Sequence, residues 1–141
     1  MLETPFVKTI LQRVKLPAKP RDLYDLYMDP RRHGEAIGTK VWISKRRGGR
    51  FSAWDGHTGG EILDLVPGKR IVQTWRTSRW KEQDPDSVVV LTFERAREGS
   101  KLTIVQTNVP DDLYAELAKA WDEQYSSRLR DYLRQTGAQE R

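Results

Sequence analysis

The sequence of 141 residues has no cysteine, which excludes disulfide bonds, thiol catalysis, iron–sulfur clusters and cysteine-bound zinc. It has only two histidines, His33 and His57, and no cluster of carboxylates at the spacing of metal ligands. We therefore expect no bound metal and no other cofactor. The lack of cysteine also fits a reducing compartment.

Long apolar runs and targeting signals are missing as well. No stretch holds the roughly 18 apolar residues that a membrane-spanning helix needs. Residues 1–5 lack the basic region and apolar core that mark a secretion signal. We expect a cytoplasmic protein that does not span a membrane.

Catalytic motifs are missing too. No serine lies in a Gly-x-Ser-x-Gly setting, so nucleophilic hydrolysis has no support in the sequence. The pairs Gly48-Gly49 and Gly59-Gly60 lack the Lys-Ser/Thr that completes a phosphate-binding loop, and we predict that they form turns between strands. The sequence therefore favours a protein that is not an enzyme.

Positive charge is present in excess, with a net charge of +5 and an isoelectric point near 9.6. This balance permits attraction to polyanions. The densest basic run comprises Lys45, Arg46 and Arg47, with Arg50 beyond two glycines. Two interpretations stay open for this run: the solvated rim of a loop, or a surface that contacts an acidic partner.

The length suits one domain, residues 1–141, with a core of about 5–134 and a frayed tail at 135–141. No repeat or long linker divides it. The apolar patterns predict one strand, two short helices, about six further strands and one long helix, which is an α+β arrangement.

The strands and short helices are bounded by proline and glycine. The short helices are predicted at 21–28 and from Pro30 to 36 or 37, and Gly38 ends the second. Phe51 and Trp54 share one predicted strand, which ends at Asp55-Gly56, and residues 78–86 form a polar loop around Trp80. The strands are predicted at 4–16, 40–44, 51–54, 62–66, 71–75, 87–94 and 101–107.

A long amphipathic helix is predicted after the last strand and ends at about residue 133 or 134. Asn108 offers a possible N-cap, and Asp111 and Asp112 suit the positive end of the helix dipole. Apolar residues at four-residue steps form one stripe: Leu113, Leu117, Trp121, Tyr125, Leu129 and Leu133. Such a helix should pack on the antiparallel sheet, and strong sheet twist would leave a pocket between them.

Three segments carry a family resemblance. They are Gly48-Gly49-Arg50-Phe51 followed by Trp54-Asp55-Gly56, the hairpin from Gly60-Glu61-Ile62 to Thr74-Trp75-Arg76, and Val109-Pro110 with Trp121. They resemble the START-like superfamily, also called SRPBCC or Bet v 1-like. Within it, the chain is similar to the C-terminal-domain-like family of the activator of the heat-shock protein 90 ATPase, from about Val7 to Leu133.

This resemblance implies a helix-grip fold. In that fold a curved antiparallel sheet of about six or seven strands wraps a long C-terminal helix, and two short helices follow the first strand. The superfamily includes lipid carriers, plant hormone receptors, polyketide cyclases and chaperone cofactors, so the resemblance leaves several functions open.

Aromatic and amide side chains are the candidate lining of the pocket. Trp75 on the sheet and Trp121 on the helix should face the same space, and Tyr125 adds a hydroxyl. Gln73 and Gln106 lie in apolar strands, where each would bind the backbone, a buried water or a polar group of a ligand. The predicted lining is Phe51, Ile62, Gln73, Trp75, Gln106, Leu117, Trp121 and Tyr125.

The leading functional hypothesis is a non-enzymatic domain that binds a small apolar or lipid-like molecule in this cavity. The alternative is a chaperone cofactor or stress-response interaction module that binds an acidic protein through the rim of Lys45, Arg46, Arg47 and Arg50. A third hypothesis is a small cyclase or hydratase with Asp64 or Glu61 as an acid. Nucleic-acid binding is disfavoured, because no helix is evident that could read a groove.

Overall fold

The computed structural model describes residues 7–139, and the side chains of residues 7–137. In chain order the first elements are β1 (Val7–Leu16), α1 (Pro20–Met28), α2 (Pro30–Ile37), β2 (Val41–Ile43), β3 (Arg50–Ala53), β4 (Thr58–Val66), β5 (Arg70–Thr77), β6 (Ser87–Ala96) and β7 (Gly99–Pro110). They are followed by a 3-10 turn (Asp111–Leu113), α3 (Tyr114–Ala120), a π-helical turn (Trp121–Ser126) and α4 (Ser127–Gln139). The backbone stays helical at both junctions of the π turn, so α3, the π turn and α4 form one C-terminal helix.

The seven strands form one curved antiparallel sheet in the order β1-β7-β6-β5-β4-β3-β2. Side chains alternate between its two faces, so Ile71, Gln73, Trp75 and Thr77 of β5 are buried while the residues between them are partly exposed. The buried face packs against the C-terminal helix. This arrangement confirms the predicted helix-grip fold.

The apolar stripe of the C-terminal helix is buried along its whole length, from Leu113 to Leu133. Side chains four residues apart drift around a regular α-helix, because one turn holds 3.6 residues. A π turn holds more residues, since its hydrogen bonds join residues five apart. The π turn at Trp121–Ser126 therefore offsets the drift and keeps Trp121 and Tyr125 on the side of the sheet.

The prediction that Gly59-Gly60 forms a turn is wrong, because both residues lie inside β4. A Cβ atom at Gly60 would lie 2.1 Å from the Thr74 carbonyl oxygen and 2.9 Å from Cε1 of Phe51. Glycine is therefore required here for a close approach between strands. In contrast, Gly48 lies in the turn before β3 with φ of +80°.

The predicted start and end of the C-terminal helix are also wrong. Asn108 does not cap the helix, since it lies within β7, which continues to Pro110. At the other end α4 continues to Gln139, beyond the predicted end at residue 133 or 134. Residues 4–6 of the predicted first strand and residues 140–141 of the predicted tail lie outside the described residues.

No helix within residues 7–139 combines the length and the apolar character that a membrane crossing requires.

Candidate functional site

An aromatic cluster joins the C-terminal helix to the sheet. The ring centroid of Trp121 lies 5.0 Å from that of Trp75 and 4.8 Å from that of Tyr125. Phe51 lies 5.4 Å from Trp75 on the other side. All four side chains are buried, so the cluster forms part of the core. Aromatic pairs at these separations add attraction beyond the burial of their surfaces.

An open cleft of about 350 Å³ lies beside this cluster, between the helix and the ends of β4 and β5. Its size falls within the range of small-molecule sites. The helix contributes Leu117, Trp121 and Tyr125, and the sheet contributes Trp75. The remaining lining residues are Trp54, His57, Thr58, Thr77, Glu116, Ala120 and Gln124. Four of the eight residues predicted from the sequence therefore border the cleft.

Trp54 forms one wall of the cleft, and the sequence prediction for its backbone is wrong. It lies in the turn between β3 and β4 rather than in a strand, with φ of 51°, and Asp55 follows with φ of 54°. A non-glycine residue in this left-handed region is unfavourable by about 1 kcal/mol. The turn brings the Trp54 ring to 5.5 Å from Tyr125, nearly perpendicular to it. The strained turn thus supplies an aromatic wall that a regular strand would not.

The polar loop at residues 78–86 lies next to the cleft and is tied to the C-terminal helix. Arg79 pairs with Glu116 at 3.4 Å, and Lys81 lies 3.9 Å from Asp112. Both pairs are exposed, so each contributes little to stability. Trp80 anchors the loop, because it is buried and its Nε1 donates to the Pro85 carbonyl at 3.1 Å.

Three other predicted residues surround a separate, smaller void. Phe51, Ile62 and Gln73 line an internal space of about 10 Å³ with Tyr27 and His33. The Gln73 side chain donates from Nε2 to the Tyr27 hydroxyl at 3.0 Å. Side chains therefore fill much of the gap between sheet and helix, and the open cleft lies towards the β3–β4 turn.

Gln106 borders neither space, because it is held in a buried chain of hydrogen bonds. Trp121 Nε1 donates to Gln106 Oε1 at 2.8 Å, and Gln106 Nε2 donates to Ser87 Oγ at 2.9 Å. Ser87 in turn donates to the carbonyl oxygen of Trp75 at 2.6 Å. These contacts satisfy both ends of the Gln106 amide and fix Trp121 against the sheet.

Three buried polar atoms have no hydrogen-bond partner among the described residues: Trp75 Nε1, His33 Nε2 and Ser126 Oγ. Buried polar groups in folded proteins are nearly always paired, so each such atom calls for a partner that residues 7–137 do not supply. Trp75 borders the cleft and His33 borders the void.

The carboxylates that the enzyme hypothesis uses are placed away from the cleft. Asp64 is held by Arg47 at 2.8 Å and Arg70 at 3.1 Å. The Arg70 hydrogen bond, followed by the charge of Arg47, keeps the pKa of Asp64 below its ordinary value. Glu61 lies between the inward-facing Gly60 and Ile62, so it points to the outer face of the sheet. Neither residue borders the cleft.

The basic rim lies on the loop before β3 and at its first residue. Lys45, Arg46, Arg47 and Arg50 are all exposed. Arg47 pairs with Asp64, whereas the other three form no ion pair within 4.0 Å among the described residues. Trp42 on the neighbouring edge strand β2 is 66% exposed.

Sequence reasoning missed several residues of the two spaces. Ala120 and Gln124 lie one helical turn apart, beside Leu117 and Trp121, so helical spacing alone could have indicated them. Nothing in the sequence marks His33 as a residue that lines the void. No local sequence pattern indicates that Trp54 lines the cleft, because its position depends on the geometry of the β3–β4 turn.

Comparison with known proteins gives the family. The family model described as "Activator of Hsp90 ATPase homolog 1-like protein" matches residues 17–134. The chain belongs to this family. An activator of 90 kDa heat shock protein ATPase homolog from Dictyostelium discoideum is 30% identical over 129 residues, which cover 89% of this chain and 33% of that protein. Activator homolog 1 from Homo sapiens is 27% identical over 124 residues, covering 88% and 36%. The chain spans about a third of the length of these relatives.

Solved structures show the same fold. An HSP90 activator from Plasmodium falciparum superposes with a TM-score of 0.81 at 20% identity, covering 89% of this chain and 95% of that one. A protein from Mesorhizobium loti superposes with a TM-score of 0.79 at 24% identity, covering 92% and 98%. The family and the fold predicted from the sequence are therefore both confirmed.

Proposed function

We propose that this protein binds a small, largely apolar molecule in the cleft between the C-terminal helix and the β3–β4 turn, without chemical conversion. The observation that carries the proposal is the cleft of about 350 Å³ with walls of Trp54, Trp75, Trp121 and Tyr125. Concave sites with apolar walls and a few polar groups are typical of small-molecule binding.

The chemistry of the walls indicates a flat, apolar ligand. Aromatic rings on several sides offer stacking and edge contacts to a planar molecule. Thr58 and Thr77 supply hydroxyl groups to the lining, and Nε1 of the lining residue Trp75 is a buried donor without a partner among the described residues. Glu116 is the one carboxylate among the described residues that line the cleft, and it pairs with Arg79. These groups suit orientation of a ligand, and His57, the one histidine of the described lining, is hydrogen-bonded through Nδ1 to Ser78 Oγ.

The test is to fill the cleft without removing any part of the core. Ala120 borders the cleft, whereas Ala115 on the same helix is exposed. Ala120→Phe should weaken binding of naphthalene-sized apolar compounds by at least about tenfold, and Ala115→Phe should leave it unchanged. Binding is measured by quenching of tryptophan fluorescence, since three tryptophans line the cleft. Unsaturable quenching, or equal affinities of the two variants, would refute the proposal.

A second function is favoured by the relatives and by the basic rim. The relatives are named as activators of the 90 kDa heat shock protein ATPase. Lys45, Arg46 and Arg50 are exposed cations without ion pairs among the described residues, so they can attract an acidic protein surface. We propose that this rim contacts a chaperone of the 90 kDa class.

Charge reversal tests this second function. The double substitution Lys45→Glu and Arg46→Glu should abolish retention on an immobilised 90 kDa chaperone, and wild-type retention should fall as salt rises. Arg97→Glu, an exposed change in the β6–β7 turn, is the matched control. Retention of the double variant at the level of the control would exclude the rim as the contact.

A further inference from the structure

Tyr125 separates the two spaces between sheet and helix. Its side chain borders both the open cleft and the internal void of about 10 Å³. A void of that size holds about one water molecule. Displacement of the Tyr125 ring would join the void to the cleft and extend the cleft inward.

The void has an unmet hydrogen-bond acceptor on its wall. His33 Nδ1 lies 2.7 Å from the Tyr27 carbonyl oxygen, which can only accept, so Nδ1 carries the proton of this ring. Nε2 then has a free lone pair, and it is buried without a partner among the described residues. Burial lowers the pKa of His33 to about 4, so the ring is neutral at pH 7 and Nε2 can accept a hydrogen bond.

The rings of Tyr27 and Tyr125 flank the His33 ring. The His33 ring lies 4.4 Å from that of Tyr27 and 5.8 Å, edge-on, from that of Tyr125. The residue is 3% exposed and its Nε2 is buried, and Tyr125 is the one residue that lines both the void beside His33 and the open cleft. A ligand in the cleft is thus separated from this acceptor by one side chain.

The segment that carries Tyr125 departs from regular α-helical geometry. Tyr125 lies in the π turn at Trp121–Ser126, and the next residue, Ser126, has an unpaired buried hydroxyl. π turns hold more residues than α turns and occur frequently at functional sites. A local change of helical register could move Tyr125 without unfolding the helix.

We propose that displacement of Tyr125 extends the cleft to His33, whose Nε2 accepts a hydrogen bond from the bound molecule. The preferred ligand is then a planar apolar molecule with one hydroxyl or N–H group at its inner end, such as a phenol. This inference rests on the proposed ligand-binding function and names the ligand class of that site.

The experiment compares 2-naphthol with 2-methylnaphthalene, which have the same rings and substituents of similar size. Wild-type protein should bind 2-naphthol about tenfold more tightly, although the methyl compound is the more apolar. His33→Phe should reverse this preference and keep the affinity for 2-methylnaphthalene. A preference that depends on His33 requires the ligand to pass Tyr125, because that side chain lies between the cleft and the acceptor.

A measurement on unaltered protein keeps the inference testable if His33→Phe does not fold. The ¹⁵N resonance of His33 Nε2 should shift when 2-naphthol is added and stay in place with 2-methylnaphthalene. Saturable binding of both compounds with equal affinity would overturn the inference and leave the proposed function intact. Absence of binding of either compound would overturn both.

Discussion

The hydrogen-bond chain through Gln106 gives the sharpest prediction about stability. Gln106→Leu keeps the side-chain size but leaves Trp121 Nε1 without its acceptor in the interior, which is unfavourable by about 1–3 kcal/mol. Ser87 keeps its bond to the Trp75 carbonyl, so its hydroxyl proton stays paired. Burial of an apolar leucine offsets part of the loss, by about 1 kcal/mol. We expect a net destabilisation of about 1 kcal/mol, or a decrease in Tm of about 3 °C.

Urea unfolding followed by circular dichroism measures this change. Gln83→Leu, the same substitution at an exposed position of the 78–86 loop, should alter the free energy of unfolding by less than about 0.5 kcal/mol. Combining Gln106→Leu with Trp121→Phe should show coupling of about 1 kcal/mol, since the two side chains share one hydrogen bond. Equal stability of the Gln106 and Gln83 variants would refute the structural role of Gln106.

Three further predictions concern single side chains. Gly60→Ala should destabilise the protein by about 3 kcal/mol or more in urea unfolding, because the added Cβ would lie 2.1 Å from a carbonyl oxygen. Gly137→Ala, whose added Cβ would have no atom within 4 Å, should be neutral or slightly stabilising. Similar free energies of unfolding for the two variants would contradict this prediction. Because burial lowers the pKa of His33 from 6.5 to about 4, its contribution to stability is complete above pH 6.5 and is lost as pH falls towards 4, by up to about 3 kcal/mol. His33→Gln should flatten the free energy of unfolding over that pH range, and a wild-type profile that is already flat would exclude the effect. Trp42→Ser should change Tm by less than about 2 °C in a thermal melt, because the side chain is 66% exposed, and a larger loss would show that it packs in the core.

Most of the fold could be predicted because it follows from local patterns. The four-residue stripe of the C-terminal helix identifies its buried face without knowledge of the partner, and apolar runs such as those of β5 and β6 identify strands. The errors have tertiary causes. Gly60 reads as a turn residue in the sequence, and only the strand register reveals that Thr74 and Phe51 leave no room for a side chain.

The candidate site could be predicted only in part. Trp75 and Trp121 each lie on a recognisable buried face, so their contact followed from the fold. The position of the cleft did not, because it depends on which side chains fill the middle of the gap. Trp54 lines the cleft because the left-handed turn begins at Trp54 itself, whereas the sequence Trp-Asp-Gly predicted that the turn would begin at Asp55. Gln106 was predicted to line the pocket, with the backbone, a buried water or a ligand as its partner, but its partners are the side chains of Trp121 and Ser87.

The same aromatic residues build the core and wall the cleft, and this overlap decides which variants can test binding. Trp121→Ala would remove a cleft wall, but it would also remove a buried side chain whose truncation is unfavourable by about 3–5 kcal/mol, out of a typical total of 5–15 kcal/mol. A smaller stabilising effect of the ligand on this variant could then come from loss of the fold instead of loss of the binding site. Ala120 lines the cleft but is not a buried core residue. A larger side chain at this position therefore tests ligand binding separately from stability of the fold. In this fold, binding capacity is therefore best altered by changing the volume of small lining residues such as Ala120, while the aromatic cluster is left in place.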